Sequence, residues 1–194
     1  MTKGRVEAFS DGVIAIIITI MVLELPTPEG TTWSALVPVA PVLLTYVLSF
    51  VYLGIYWSNH HHLLHTAQRI NGRVLWANLH LLCWLSLVPF VTGWMGHNHF
   101  APVPTAVYGM IMLLAALAYW VLQHTILVQQ GPKSLLAKAI GRDLKGKSSP
   151  LMYALAIPLA FVNQWFAYAL YVAVALIWLV PDRRIETALE RERS

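Results

Sequence analysis

The chain has 194 residues, of which 58% are hydrophobic and 11% charged, and its mean hydropathy is +0.61. Soluble domains carry roughly 25% charged residues, so this composition excludes an ordinary water-soluble globule. A net charge of +4 would suggest a nucleic-acid partner in a soluble protein; here the positions of the basic residues matter more than their sum, and no nucleic-acid partner is expected.

The length suits one domain spanning residues 1–194. Lys3 and Arg5 precede the first apolar run, Val13–Leu23, which has no small-residue cleavage pattern and is read as a retained helix. A bilayer core needs about 20 mostly apolar residues as helix. Five further segments fit that demand near Trp33–Trp57, Val74–Met95, Val103–Val128, Leu151–Val162 and Trp165–Val180. The last two read either as one long helix or as two short ones turning at Val162-Asn163-Gln164. Pro158 weakens the single helix, which would also overshoot the membrane. The sole cysteine, Cys83, lies inside an apolar run, so no intramolecular disulfide is possible.

Charge decides between five spans and six. The connections Glu24–Thr32 and Gly96–Pro102 and the Asn163 turn hold no Lys or Arg. All 13 basic residues fall before the first span, in the 69–73 connection, in the basic loop at 131–149, or in the charged tail at 182–194. Six spans place every one of them on a single side, which the positive-inside rule makes cytoplasmic, with both termini there. Five spans would strand the four tail arginines outside. The expected fold is therefore an all-α integral membrane protein with six transmembrane helices. Within the basic loop, Leu135, Leu136, Ala139 and Ile140 recur at helical spacing among Lys and Arg. That pattern fits either a short amphipathic helix on the anionic leaflet or a solvated basic loop. Trp57, Trp76, Trp94 and Trp120 fall near span ends and read mostly as interfacial anchors.

The first helix carries the strongest polar signal. Arg5, Glu7, Ser10 and Asp11 lie on or just before an otherwise apolar span, and ionisable groups at such depth are usually paired or functional. Asp11 lies about 9 Å beyond Arg5 along a helix and on a different face, so each needs its own partner, unless both simply snorkel to water. Further along, Ile16, Thr19, Ile20 and Leu23 form a stripe at i, i+3, i+4 and i+7, which Gly12 and Ala15 continue. Because the Ile run is apolar all round, periodicity leaves open whether this stripe meets lipid, protein or a pore.

The stretch Arg5-Val6-Glu7-Ala8-Phe9-Ser10-Asp11 matches an R-x-x-x-F-S-D signature. On it the chain resembles bacterial members of the endosomal and lysosomal potassium-channel family known as transmembrane protein 175. The resemblance continues, more weakly, through Trp57-Ser58-Asn59-His60-His61, Asn78-Leu79 and Pro89-Phe90-Val91-Thr92. It implies a potassium-permeable channel in which four chains form a homotetramer and the first helix lines the pore; animal members carry two such six-helix units per chain. Carried over by position, Ile16, Ile20 and Leu23 would form apolar constriction rings and Thr19 a hydroxyl ring. Apolar rings gate by dewetting, and hydroxyls partly replace hydration water. The resemblance also implies a structural polar network in which Arg5, Phe9, Ser10 and Asp11 meet Trp57, His61 and Asn78. Spacing does not settle which of His60, His61 and His62 faces it. Potassium is then the permeating ion and no cofactor is expected. The implied setting is the bilayer of the bacterial inner membrane.

Other readings are weaker. Val91-Thr92-Gly93-Trp94-Met95-Gly96 differs in order from a potassium filter loop and has no re-entrant surroundings. His61 and His65, at i and i+4, could share a metal, but the remaining histidines are scattered in depth, so no metal site and no enzyme are expected. Walker, H-E-x-x-H and G-x-S-x-G patterns are missing. A small secondary transporter is the main alternative, although Asp11 and Glu24 bracket the first span and leave its middle without a carboxylate. A non-conducting membrane scaffold is the other.

Overall fold

The computed structural model describes residues 2–131, 134, 136–137 and 144–179. Seven α-helices run through them in chain order: α1 (Lys3–Leu23), α2 (Ala40–Thr66), α3 (Gly72–Ser86), α4 (Val88–His97), α5 (Pro102–Gln130), α6 (Leu144–Val162) and α7 (Gln164–Leu179). Helices α3 and α4 together make one apolar stretch, Gly72–His97, so the bundle makes six passes. Among the described residues, four stretches are long and apolar enough to cross a membrane: Lys3–Leu23, Ala40–Thr66, Gly72–His97 and Pro102–Gln130. The chain is a multi-pass membrane protein. The tail at 182–194 and, apart from Leu136 and Ala137, the segment expected to be amphipathic at 135–140 lie outside the described residues.

Several boundaries differ from the sequence expectation, two of them at prolines, and α6 starts at Leu144 rather than Leu151. The second pass starts at Ala40 rather than Trp33, because Pro38 and Pro41 interrupt the chain there. Trp33–Leu36 forms a separate 3-10 turn, and Pro41 sits in the first turn of α2, where its missing N–H costs nothing. The same helix runs on past Trp57 to Thr66. The third pass breaks at Leu87, two residues before Pro89, whose ring cannot donate to the preceding turn. Of the two readings of the last apolar region, the structure has two helices, Leu144–Val162 and Gln164–Leu179, meeting at Asn163, whose side-chain oxygen accepts from the Trp165 amide at 3.0 Å.

Contacts between helix ends fix which termini share a side. Lys3 Nζ donates to the His65 carbonyl (2.7 Å), and Gln130 Nε2 to the Thr66 carbonyl (2.9 Å). Trp178 Nε1 donates to Ser149 Oγ at 2.7 Å. The start of α1, the ends of α2 and α5, the start of α6 and the end of α7 therefore gather at one end. At the other, the Phe100 ring packs on Trp165 and Tyr168, with centroids 5.1 and 4.9 Å apart. Each described basic residue (Lys3, Arg5, Arg69, Arg73, Lys145 and Lys147) belongs to the first end, as the charge pattern requires.

The core is glued by small and hydroxyl-bearing residues, as expected where lipid removes the usual hydrophobic drive between helices. Ser49 on α2 bonds Thr92 of α4 (2.7 Å) and Tyr108 of α5 (3.1 Å). Tyr52 donates to the Tyr171 carbonyl (2.6 Å), and the Tyr171 hydroxyl to the Thr105 carbonyl (2.9 Å). Gly96 lets α4 lie against α2: a Cβ there would meet the Val42 Cα at 2.8 Å. A Cβ at Gly109 would strike the Tyr171 hydroxyl. Among the described residues, no buried side-chain polar atom lacks a partner, the condition a helical bundle must meet in a medium without water.

Candidate functional site

Helix α1 has two faces of opposite character. Val6, Ser10, Ile14, Ile17 and Met21, spaced three or four residues apart, are buried against α2, α3 and α4. The stripe singled out in the sequence lies elsewhere: Ile16 is 58% exposed, Ile20 43% and Leu23 80%. Thr19 is exposed too, its hydroxyl donating back to the Ile16 carbonyl at 2.9 Å, which leaves the oxygen's lone pairs outward. All four sequence-predicted constriction residues thus stand on the uncovered part of α1. Ala15 and Val22 are also exposed, so the uncovered surface is broader than one stripe. Ile16 and Ile20 border a groove of about 720 Å³ between α1 and the α3–α4 arm, walled by Pro89, Phe90 and Trp94 and closed at its far end by Glu24 and His97.

The inward face carries a polar chain near the basic end. His60 Nε2 meets Asn78 Oδ1 at 2.6 Å, Asn78 Nδ2 donates to Ser10 Oγ at 2.9 Å, and Ser10 Oγ donates to the Val6 carbonyl at 2.8 Å. With the Asn78 amide nitrogen on Ser10, its oxygen must accept, so Nε2 of His60 carries the proton. Every link donates in the same direction, from α2 through α3 to α1. His60, Asn78 and Ser10 are all buried. Beside this chain, and more exposed, Trp57 Nε1 donates to Asp11 Oδ1 at 3.0 Å.

The structure therefore brings together Ser10 with Asn78 and Asp11 with Trp57. The histidine on Asn78 is His60; His61 is exposed, its ring 6.4 Å from that of Trp57 and stacked on His65 at 6.2 Å. Successive helical residues point about 100° apart, so only one of the three histidines can face Asn78. Arg5 and Phe9 are exposed and lie outside this intrachain network. Of the three histidines that spacing left open, His60 rather than His61 meets Asn78; sequence reasoning missed Lys3. Lys3 caps the end of α2 through the His65 carbonyl and sits 3.9 Å from Glu7; a lysine opening the first helix was the available signal. Among the described residues, no three His, Cys, Asp or Glu side chains converge as a metal site would need.

Residues 5–89 match the family described as endosomal/lysosomal potassium channel TMEM175. A protein of Chryseobacterium sp. (strain P1-3), named a potassium channel, is 53% identical over 98% of this chain and 99% of its own. The chain belongs to the TMEM175 family. A second relative, a potassium channel of Streptomyces collinus, is 33% identical over 91% of each chain. The crystal structure of a homolog of the lysosomal potassium-selective channel TMEM175, from Chamaesiphon minutus, superposes with a TM-score of 0.82. It shares 28% identity, and the match covers 93% of this chain and 97% of that one. The TMEM175 match on residues 5–89 takes in α1, α2 and α3, the helices joined by the polar chain, and ends just past the Leu87 break.

Proposed function

We propose that this chain is a passive, potassium-permeable channel of the bacterial cell membrane, assembled as a homotetramer whose four α1 helices surround the pore. The observation that supports this most is the uncovered stripe of Ile16, Thr19, Ile20 and Leu23 on α1, in a chain whose relatives are named potassium channels. One helix cannot enclose a pore, so the stripe needs further copies to become a ring. Three apolar positions and one hydroxyl make a constriction that wets and dewets, with Thr19 replacing part of the ion's hydration shell. The buried chain from His60 to Ser10 would hold α1 at a fixed angle and would not touch the ion. The basic end would face the cytoplasm, with both termini there. Asp11 and Glu24 lie 13 residues apart, about 20 Å of helix, and between them α1 carries no ionisable group to drive coupled transport. Neither a transporter nor an enzyme is the favoured reading.

The test is single-channel recording in planar bilayers with bi-ionic potassium and sodium, which a transporter or scaffold would fail by giving no unitary steps. Ile16→Asn and Leu23→Ser should raise conductance and lower potassium preference. Thr19→Val should lower preference with assembly intact. Parent-like conduction and selectivity in all three would remove α1 from the constriction.

A further inference from the structure

A second groove, of about 730 Å³, lies on another side of the bundle, between the first turns of α3 and the last turns of α5. Arg73, Trp76 and His80 contribute one wall, at i, i+3 and i+7 on a single face of α3; Val121 and Thr125, at i and i+4, contribute the other. Arg73, Trp76 and His80 are exposed. The groove begins at the level where Gln130 of α5 reaches the end of α2 and runs inward along the membrane-embedded part of the helices.

The polar groups on the α3 wall are donors. Arg73 offers its guanidinium and Trp76 its indole N–H; among the described residues neither has a hydrogen-bond partner. His80 Nε2 accepts from Trp84 Nε1 at 2.9 Å, so in the neutral ring Nδ1 carries the proton and is a third donor. Asn71 Oδ1 is committed to the Val74 amide at 2.9 Å, which leaves its amino group as a fourth. Thr125 spends its hydroxyl proton on the Val121 carbonyl. Among the described residues, no carboxylate lines the groove. A groove that offers hydrogen bonds, accepts almost none, and has Ala77 and Val121 beside its donors fits a molecule with both acceptors and an apolar chain.

We propose that this groove binds one anionic phospholipid. Its phosphate would sit between Arg73 and Trp76, where a charge-assisted bond from the guanidinium is strongest. An ester carbonyl would take the His80 proton one turn deeper, and an acyl chain would lie along Val121. Charge complementarity selects this occupant: a basic, carboxylate-free rim attracts anionic headgroups, and each arginine near the surface adds to that attraction. No α1 residue lines the groove, so the site stands or falls apart from conduction.

Native mass spectrometry of the intact protein, purified from vesicles of equal phosphatidylglycerol and phosphatidylcholine, tests it. The parent should retain phosphatidylglycerol in preference to phosphatidylcholine. Arg73→Gln should lower that retention by about fivefold to tenfold, and Thr125→Trp, which fills the groove from α5, should do the same. Lys3→Gln, at the same end but outside the groove, should retain the lipid like the parent. Equal retention of both lipids by the parent, or parent-like retention in Arg73→Gln and Thr125→Trp, would overturn the site. So would loss of the oligomer in Thr125→Trp, since the groove would then hold a second copy of the chain.

Discussion

The two halves of α1 are held by different physics. The half near the basic end is tied down by directional bonds: Ser10 to Asn78, Asp11 to Trp57 and Lys3 to the His65 carbonyl. The far half, from Ile14 to Leu23, touches the bundle through Ile14, Ile17 and Met21 and has a groove along its side. A hydrogen bond in a medium of low dielectric fixes angle as well as distance, whereas aliphatic packing fixes neither tightly. The same helix is thus anchored at one end and only propped at the other. The residues proposed as constriction all lie in the propped half.

The largest effect should come from removing the hub of the anchored half. Asn78→Leu keeps the volume but leaves His60 and Ser10 buried without their partner, at about 1–3 kcal/mol for each unpaired group. Thermal unfolding in detergent should show a large fall in melting temperature, with loss of assembled protein on size exclusion. In the propped half, Ile17→Ala removes packing alone, and about 2 kcal/mol is expected. If Ile17→Ala proves the more damaging, the contrast between the halves is wrong. Trp57→Phe sharpens the comparison at a smaller scale. It keeps an aromatic six-membered ring and removes the pyrrole half of a half-exposed indole together with the donor to a partly exposed Asp11, so a loss of about 1 kcal/mol is expected in the same melt. Lys3→Gln should matter least, within about 0.5 kcal/mol, because its contacts with Glu7 and the end of α2 are solvent-accessible and screened. A melt shift for Lys3→Gln as large as that for Asn78→Leu would place the anchor at the helix end instead.

Much of the architecture was legible in the sequence because membrane passes are long and charge asymmetry is simple to count. The four arginines of the 182–194 tail, outside the described residues, carry the choice of six passes over five, and the helix-end contacts put the described basic residues at one end, as that reading requires. What could not be read was set by tertiary position. Trp33–Val39 is apolar enough to join a span, yet prolines on either side of Val39 hold it out of α2. His60 and His61 have the same chemistry and adjacent numbers, and only the landing point of Asn78 separates them. The Ile run of α1 is greasy on every side; its inward face was decided by Ser10 meeting a partner 68 positions away. Arg5 and Phe9 belong to the motif by sequence but lie outside the network within one chain, and Glu7 meets Lys3 on its own helix.

The close approach of Gly109 to Tyr171 restricts how this chain can change over time. Any side chain at position 109 would collide with the Tyr171 hydroxyl, and removing that hydroxyl alone still leaves a ring carbon 2.9 Å away. Shortening residue 171 first would take the donor from the Thr105 carbonyl and open a void between α5 and α7. Neither position can move ahead of the other without passing through a less stable protein. Two residues 62 apart are therefore bound into one evolutionary unit by the absence of a single carbon atom.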